Sequence, residues 1–429
     1  MKGTLAVASI AVLCLSMFSA FTLNVTAQQS SGAWPMYQAD PSHSGVGTGS
    51  PVLTPNVLWK ITGPNFEAGT SAWSAPIIVD GEVYVGSYFY SNNSGYHATS
   101  WGDVYAFKAS NGAVVWDYRD NSSTGMSTPA VANGIVFFGS NNYVGALKAS
   151  NGASIWNYTA GGGSSPVIVD GVVYDNNGNN FFALNATNGN QLWTSNVPGS
   201  EPPAIANGAI FTCSIDGNIY ALNFTNGNKL WSYNDTGGFS DSSPAVVSGV
   251  VYVGSGDGNV YALNASTGTK IWSYLTGEWE TPSTAVTNGI VYVGSGNDDV
   301  YALNASTGAK IWSYYTGFPL PSSPAVDGNV VYIGAADLNV YAFNASTGSV
   351  IWSCPVVEDV NSFAVANGVV CVGTTDGSLY AFGTSSASLF STLLIMVVVP
   401  AVIIIVVAVV FLVFRKRLKS KPTSPLPIP

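Results

Sequence analysis

The stretch Val260–Tyr274, VYALNASTGTKIWSY, returns about every 40 residues, and that periodicity restricts the folding of this chain more than any other feature. Its skeleton is Ala, five residues, Gly, three residues, Trp. It recurs as Ala106/Gly112/Trp116, Ala146/Gly152/Trp156, Ala183/Gly189/Trp193, Ala221/Gly227/Trp231, Ala262/Gly268/Trp272, Ala302/Gly308/Trp312 and Ala342/Gly348/Trp352. Trp59, in VLWKI, has the end of the pattern without its beginning. The last YAF, Tyr380–Phe382, has the beginning without the end, so the two fragments complete one another around a ring. A fixed period of this length, with four short apolar runs per unit, marks an all-β fold. The expectation is an eight-bladed β-propeller of four-stranded antiparallel blades.

In the unit that opens at Lys270, KIWSY reads as the first strand and PSTAVTNG leads through the second. IVYVGSG is then the third strand and DVYALNA the fourth. Alternating Val, Tyr and Ile with Gly, Asn and Asp punctuation is strand-and-turn chemistry. Asp80-Gly81, Asn133-Gly134, Asp170-Gly171, Asn207-Gly208, Ser248-Gly249, Asn288-Gly289 and Asn367-Gly368 accept the positive φ of a tight hairpin, and Gly328-Asn329 stands at the aligned place. On this reading the skeleton Gly bends the link from the outer strand of one blade to the inner strand of the next. One Trp per unit (Trp59, Trp116, Trp156, Trp193, Trp231, Trp272, Trp312, Trp352) is expected to dock blade on blade, with the small Ala leaving it room. Ligand stacking does not explain one indole in every repeat.

Ala-x5-Gly-x3-Trp repeated around a ring resembles the pyrroloquinoline-quinone-type propeller family. That group includes quinoprotein alcohol dehydrogenases and a lipoprotein subunit of the bacterial outer-membrane barrel-assembly machine. The lead-in AWPMYQADPSHSG, Ala33–Gly45, is also similar to that of many such propellers, and the resemblance covers about residues 33 to 383. It implies the fold. Members that oxidise alcohols hold the quinone over a Trp beside Ca²⁺, with acidic catalytic residues, an Arg and a disulfide between adjacent cysteines. This chain has no adjacent cysteines and Arg119 is the one Arg before residue 415. No catalytic residue and no cofactor site is therefore assigned, and a quinoprotein dehydrogenase stands as the alternative function.

Residues 1–27 read as a secretory signal, with Lys2 before an apolar run from Leu5 to Leu23 and small residues at Val25-Thr26-Ala27. An uncleaved anchor is the alternative. A lead-in, 28–57, precedes the propeller at 58–383 and a short linker at 384–392. Leu393–Phe414 has no charge and, at about 33 Å as a helix, spans a bilayer. The basic, Pro-rich tail 415–429 then places the C-terminus in the cytoplasm and the propeller outside a cell membrane crossed once. All 23 acidic residues fall between 28 and 383 against seven cations there, a net −16, which makes nucleic acid and anionic membrane surfaces poor partners.

Asn-x-Ser/Thr sequons recur at Asn185, Asn223, Asn264, Asn304 and Asn344, where turn chemistry and glycosylation both account for them. Asn92, Asn121, Asn157 and Asn234 are further candidate glycan sites. Cys354 is placed on the inner strand of the last blade and Cys371 on its third strand, about 10 Å apart and beyond disulfide reach. Cys213, Cys354 and Cys371 are expected as free, buried thiols. Metal-ligand spacing is absent; Asp298-Asp299 or Glu278/Glu280 offer oxygens for a structural Ca²⁺ at most.

The variable loops, first-to-second strand and third-to-fourth strand in this numbering, share one face. The largest departure is Ser87–Asp103, with Tyr88, Phe89, Tyr90, Tyr96, His97 and Trp101. Trp73, Phe239, Trp279 and Phe318 are assigned to the same face. Exposed aromatics on such loops point to a protein or glycan partner. The expected function is a non-catalytic binding scaffold at the cell surface; a passive envelope component is the bland counterpart.

Overall fold

The computed structural model describes residues 33, 36–47, 49–62, 69–91, 99–120, 125–159, 164–234, 237–239, 242–277 and 282–383. The segments 1–27 and 384–429 lie outside them. Among the described residues no helix is long and apolar enough to cross a membrane.

Eight antiparallel sheets form the propeller, one per repeat. Blade five is typical, running outward from Ala245–Val247 through Val250–Gly254 and Asn259–Asn264 to Lys270–Leu275. The innermost strand is short and buried, while the outermost alternates exposed and covered residues. This corrects the strand order read from the sequence. KIWSY is not the first strand of the next blade but the outermost strand of the same one, because Ala262 pairs directly with Trp272. The skeleton Gly therefore turns a hairpin inside a blade. Cys354, likewise, belongs to the outermost strand of blade seven, Val350–Pro355, and is half-buried; Cys213 and Cys371 are buried, and all three are free.

The Trp role stands, and the geometry explains the skeleton. Gly268 has φ +72°, and a Cβ added to it would lie 2.7 Å from the ring of Trp231 in the preceding blade. The same contact joins Gly112 to Trp59, Gly152 to Trp116, Gly189 to Trp156, Gly227 to Trp193, Gly308 to Trp272 and Gly348 to Trp312. Each indole thus lies flat beneath a backbone turn that only glycine leaves uncovered. Its Nε1–H then donates across the junction: Trp272 to the Ala305 carbonyl at 2.9 Å, Trp116 to Ala149 at 2.6 Å. Between Ala262–Trp272 and Leu263–Lys270 the register slips by one, leaving Ile271 as a bulged, exposed residue.

The expected two-residue hairpins form. Asp80, Asn133, Asp170, Asn207, Ser248, Asn288 and Asn367 have φ between +50° and +53°, each followed by a positive-φ Gly. Blade eight is shared between the chain ends, with Val57–Thr62 pairing outside Ser378–Gly383. Blade one differs: its Glu82–Ser91 and Thr99–Lys108 strands are ten residues each, and Gly69–Trp73 adds a fifth strand beside the extension.

The lead-in is part of the architecture. Carbonyls of Pro41, Ser42, Ser44 and Gly45 accept from the innermost-strand N–H groups of Ile205, Val246, Val286 and Val326, in four consecutive blades. Val46 then pairs in parallel with Val326. A chain crossing the inner strands this way ties the blades together around the axis.

Candidate functional site

Two faces flank the ring. One holds the Asn-Gly hairpins and the Asn-Ala-Ser-Thr-Gly turns. The other, the loop face, holds the turns between second and third strands and the links to the next blade. The loops judged variable in the sequence do share that face.

Its turns are locally built. Asp257 accepts from the Asn259 N–H at 2.9 Å and from the Tyr261 hydroxyl at 2.6 Å; Asp216 and Asp337 repeat the arrangement with Tyr220 and Tyr341. Partial burial works against the charge of Asp257, but the bonds from Tyr261, Asn259 and Ser255 outweigh it and hold the carboxyl below its ordinary range. Such aspartates brace turns. Among the described residues no group of three or more His, Cys, Asp or Glu comes together.

Over blades four to seven these turns and links carry exposed apolar side chains in succession. Ile215 and Leu338 occupy turns, Leu275 and Tyr315 end outermost strands, and Phe318 and Val357 sit in links. Leu338 has φ +64°, an uncommon conformation for a branched apolar residue, and its side chain is exposed. Isolated exposed apolars are ordinary; a succession on one face is the pattern of an interaction surface.

The predicted site residues fare unevenly. Phe318 is exposed as expected. Trp73 is not on the face: it is 4% exposed, donates to the Gly377 carbonyl at 2.6 Å, and packs edge-on against Tyr105. A strand pairing with the blade-one extension carried it inward. Phe239, fully buried against Tyr233 and Tyr261, is likewise core. Tyr88, Tyr90 and Trp101 are strand residues of the extended hairpin, where Tyr88 pairs with Gly102 and Phe89 with Trp101. Tyr96, His97 and Trp279 lie outside the described residues, as do Asn92 and Asn121. Asn157 is exposed on an outermost strand. Asn234 uses its Nδ2, the atom a glycan would take, to donate to the Gly217 carbonyl at 3.1 Å. The repeated asparagines cap turns; Asn264 Oδ1 accepts from both Ser266 and Thr267 N–H at 3.0 Å.

Hub and rim complete the inventory. Hydroxyls fasten the segments that lead into the innermost strands: Ser74, Ser127, Ser242 and Ser322 each accept from a Gly N–H on the second strand of the same blade. Tyr37 and Gln38 of the lead-in face Ala75, Ser323 and Phe363 across a cavity of about 30 Å³. His43 is buried with its pKa lowered to about 4 by desolvation, against the opposing charge of Asp40. The cations sit elsewhere. Lys60, Lys229, Lys270 and Lys310 are on exposed outermost strands, and Lys108 and Lys148 end third strands. Arg119 is bonded to buried Asp103 at 3.1 Å.

One buried carboxyl gave no signal by motif. Asp175 is fully buried where other blades have Val85, Val253, Val293 or Ile333. Burial pushes its pKa up to about 7, opposed by bonds from the Ser164 hydroxyl and the Asn176 N–H. Comparing repeats position by position would have found it.

A family model described as outer membrane protein assembly factor BamB matches residues 54–199, 140–281 and 275–389, which together span most of the chain. The chain belongs to that family. BamB from Moraxella catarrhalis superposes with a TM-score of 0.57 at 19% identity, covering 78% of this chain and 98% of the other. A europium-containing methanol dehydrogenase gives 0.64 at 14% identity, covering 82% and 98%. A quinohemoprotein alcohol dehydrogenase from Comamonas testosteroni gives 0.63 at 14%, covering 83% and 81%. At these identities the likeness to BamB and to the dehydrogenases is one of fold. No curated protein sequence matches.

Proposed function

We propose that this BamB-family propeller is a non-catalytic scaffold that docks a protein partner on its loop face. The observation that carries this is the succession Ile215, Leu275, Tyr315, Phe318, Leu338 and Val357, apolar and exposed on consecutive blades. Partner chemistry follows from what surrounds it. Asp298, Asp299, Asp337, Glu358 and Asp359 belong to the same turns and links, so a partner with apolar side chains among basic ones is favoured. A glycan is the weaker occupant, because its hydroxyls gain little from aliphatic side chains. The family's assembly-factor member gives a scaffold role a precedent.

Anchoring belongs to the same proposal. The apolar run 393–414, followed by Arg415, Lys416 and Arg417, holds the protein in a membrane with the propeller outside.

The dehydrogenase alternative requires a quinone that carries several carboxylates. Among the described residues the lysines lie on outermost strands or at the ends of third strands, away from the hub, and Arg119 is committed to Asp103. Lead-in residues Tyr37, Gln38 and His43 pack against the hub. The residues present do not fit that group, and this supports the non-catalytic reading.

The test is capture of native membrane proteins by the purified full-length protein in detergent. A defined partner retained by the native protein, and lost on replacing Leu275 and Phe318 by Ser, supports the proposal. Undiminished capture by the double variant, or dye reduction with alcohols after adding quinone and Ca²⁺, overturns it.

A further inference from the structure

The repeats differ at one junction in a way that builds a pocket. Two residues after the Trp of the outermost strand, Tyr118, Tyr158, Tyr233, Tyr274 and Tyr314 fill the seam to the next blade. Four meet a third-strand ring of the next blade: Tyr158 meets Phe182 with ring centroids 5.4 Å apart, Tyr233 meets Tyr261 at 6.0 Å, Tyr274 meets Tyr301 at 5.8 Å and Tyr314 meets Tyr341 at 6.4 Å. Tyr118, facing Gly145 in that column, packs on second-strand Phe138 at 5.8 Å. Blade three breaks the series with Ser195, which stands opposite Tyr220 of blade four.

The other two departures are filled. Where Ile61 stands, Trp73 packs on Tyr105 at 5.4 Å; where Cys354 stands, Tyr380 is buried regardless. At Ser195 a pocket of about 440 Å³ opens instead, lined by Ser195, Val197, Tyr220, Asn226, Asn228 and Lys229 among others. That volume lies within the usual ~300–1,000 Å³ of ligand sites. Among the described residues no ring of blade three meets Tyr220.

Tyr220 is held in place without a partner ring. Its hydroxyl donates to Asp216 at 2.6 Å, and Lys229 Nζ sits 5.7 Å from the ring centroid. A platform fixed at both ends costs little entropy to use. Blade two shows what the polar wall does. The Tyr158 hydroxyl donates to Oε1 of Gln191, and Gln191 precedes Trp193 as Lys229 precedes Trp231. A phenol entering at Ser195 brings its oxygen to the same place, where the Lys229 ammonium donates.

We propose that the pocket between blades three and four receives a tyrosine side chain of a protein partner, its ring taking the seam position that Ser195 leaves open and its hydroxyl meeting Lys229. The guest completes the pattern that the chain's own tyrosines make elsewhere. This site is on the rim and independent of the loop-face docking proposed above.

The probe is N-acetyltyrosinamide, titrated into the full-length protein in detergent and followed by saturation-transfer NMR. Saturable binding is expected, with Ser195→Tyr abolishing it because the protein's own ring closes the seam. That variant should also melt at or above the native temperature, which separates occlusion from misfolding. Lys229→Met should weaken the tyrosinamide by about tenfold while leaving N-acetylphenylalaninamide unchanged. Absence of binding to the native protein, unchanged binding by Ser195→Tyr, or saturable binding of methyl glycosides in place of the tyrosinamide would overturn the assignment.

Discussion

The indole Nε1–H of Trp352 donates to the main-chain carbonyl of Val52 over 2.9 Å, joining residues 300 apart in sequence. At most other junctions the acceptor is the Ala that follows the last residue of the third strand, as in Trp312 to Ala345 at 2.9 Å. Blade eight has Ser378–Gly383 as its third strand, and at that junction Val52 of the lead-in is the acceptor. The Tyr332 hydroxyl meets the same residue, accepting from the Val52 N–H at 2.7 Å. Replacing Trp352 by Phe is expected to cost about 1–3 kcal/mol. Deleting residues 36–52 should lower the thermal midpoint further, since the inner-strand bonds to Ile205, Val246, Val286 and Val326 go with it. Circular dichroism melts of both variants check the ranking.

The skeleton glycine answers to two demands that a second glycine separates. Gly268 has φ +72° and faces the Trp231 ring at 2.7 Å, whereas Gly249 has φ +78° with nothing within 4 Å of an added Cβ. Gly249→Ala should therefore cost about 1 kcal/mol, the conformational part alone. Gly268→Ala adds a clash with the indole and should cost about 2–4 kcal/mol. Denaturant midpoints of the pair measure the difference, and equal losses would show that the ring moves aside freely.

Two buried groups give opposite pH dependences. His43 has its pKa lowered from 6.5 to about 4, so it stabilises fully above 6.5 and that contribution is lost as pH falls through 4, about 3 kcal/mol in all. Asp175 is raised from 3.8 to about 7, so its neutral form stabilises fully below 3.8 and the contribution, about 4 kcal/mol, is lost as pH rises through 7. Asp327, which burial also raises, to about 6, sides with Asp175, so the native protein should lose stability as pH rises from 4 to 7. His43→Phe should steepen that fall, and Asp175→Asn should flatten it. Urea unfolding across that range reads both slopes.

How much of this was legible beforehand follows from the range of each interaction. Blade number, hairpins and the docking role of Trp272 and its relatives were legible, because the repeat writes the same local chemistry eight times. Strand order within a blade was not. A repeat has no intrinsic start, and only the Ala262–Trp272 pairing shows that KIWSY closes a sheet rather than opening one. Trp73 was misplaced because its burial depends on Gly69–Trp73 pairing with an extension found in blade one. Of the loop-face apolars Phe318 was named from the sequence, while others such as Leu275 and Leu338 escaped attention because they look like ordinary strand and turn residues. Ser195 and Asp175 were visible only as departures from an aligned column, a comparison that carries meaning once the facing column is known from the structure.

The most direct test of the scaffold account is site-specific photocrosslinking in the native membrane. A photoreactive residue at Phe318, on the loop face, should yield one discrete adduct with a protein, while the same residue at Ile271, exposed on the rim, should yield none. Equal adducts at both positions, or none at Phe318, would contradict the account.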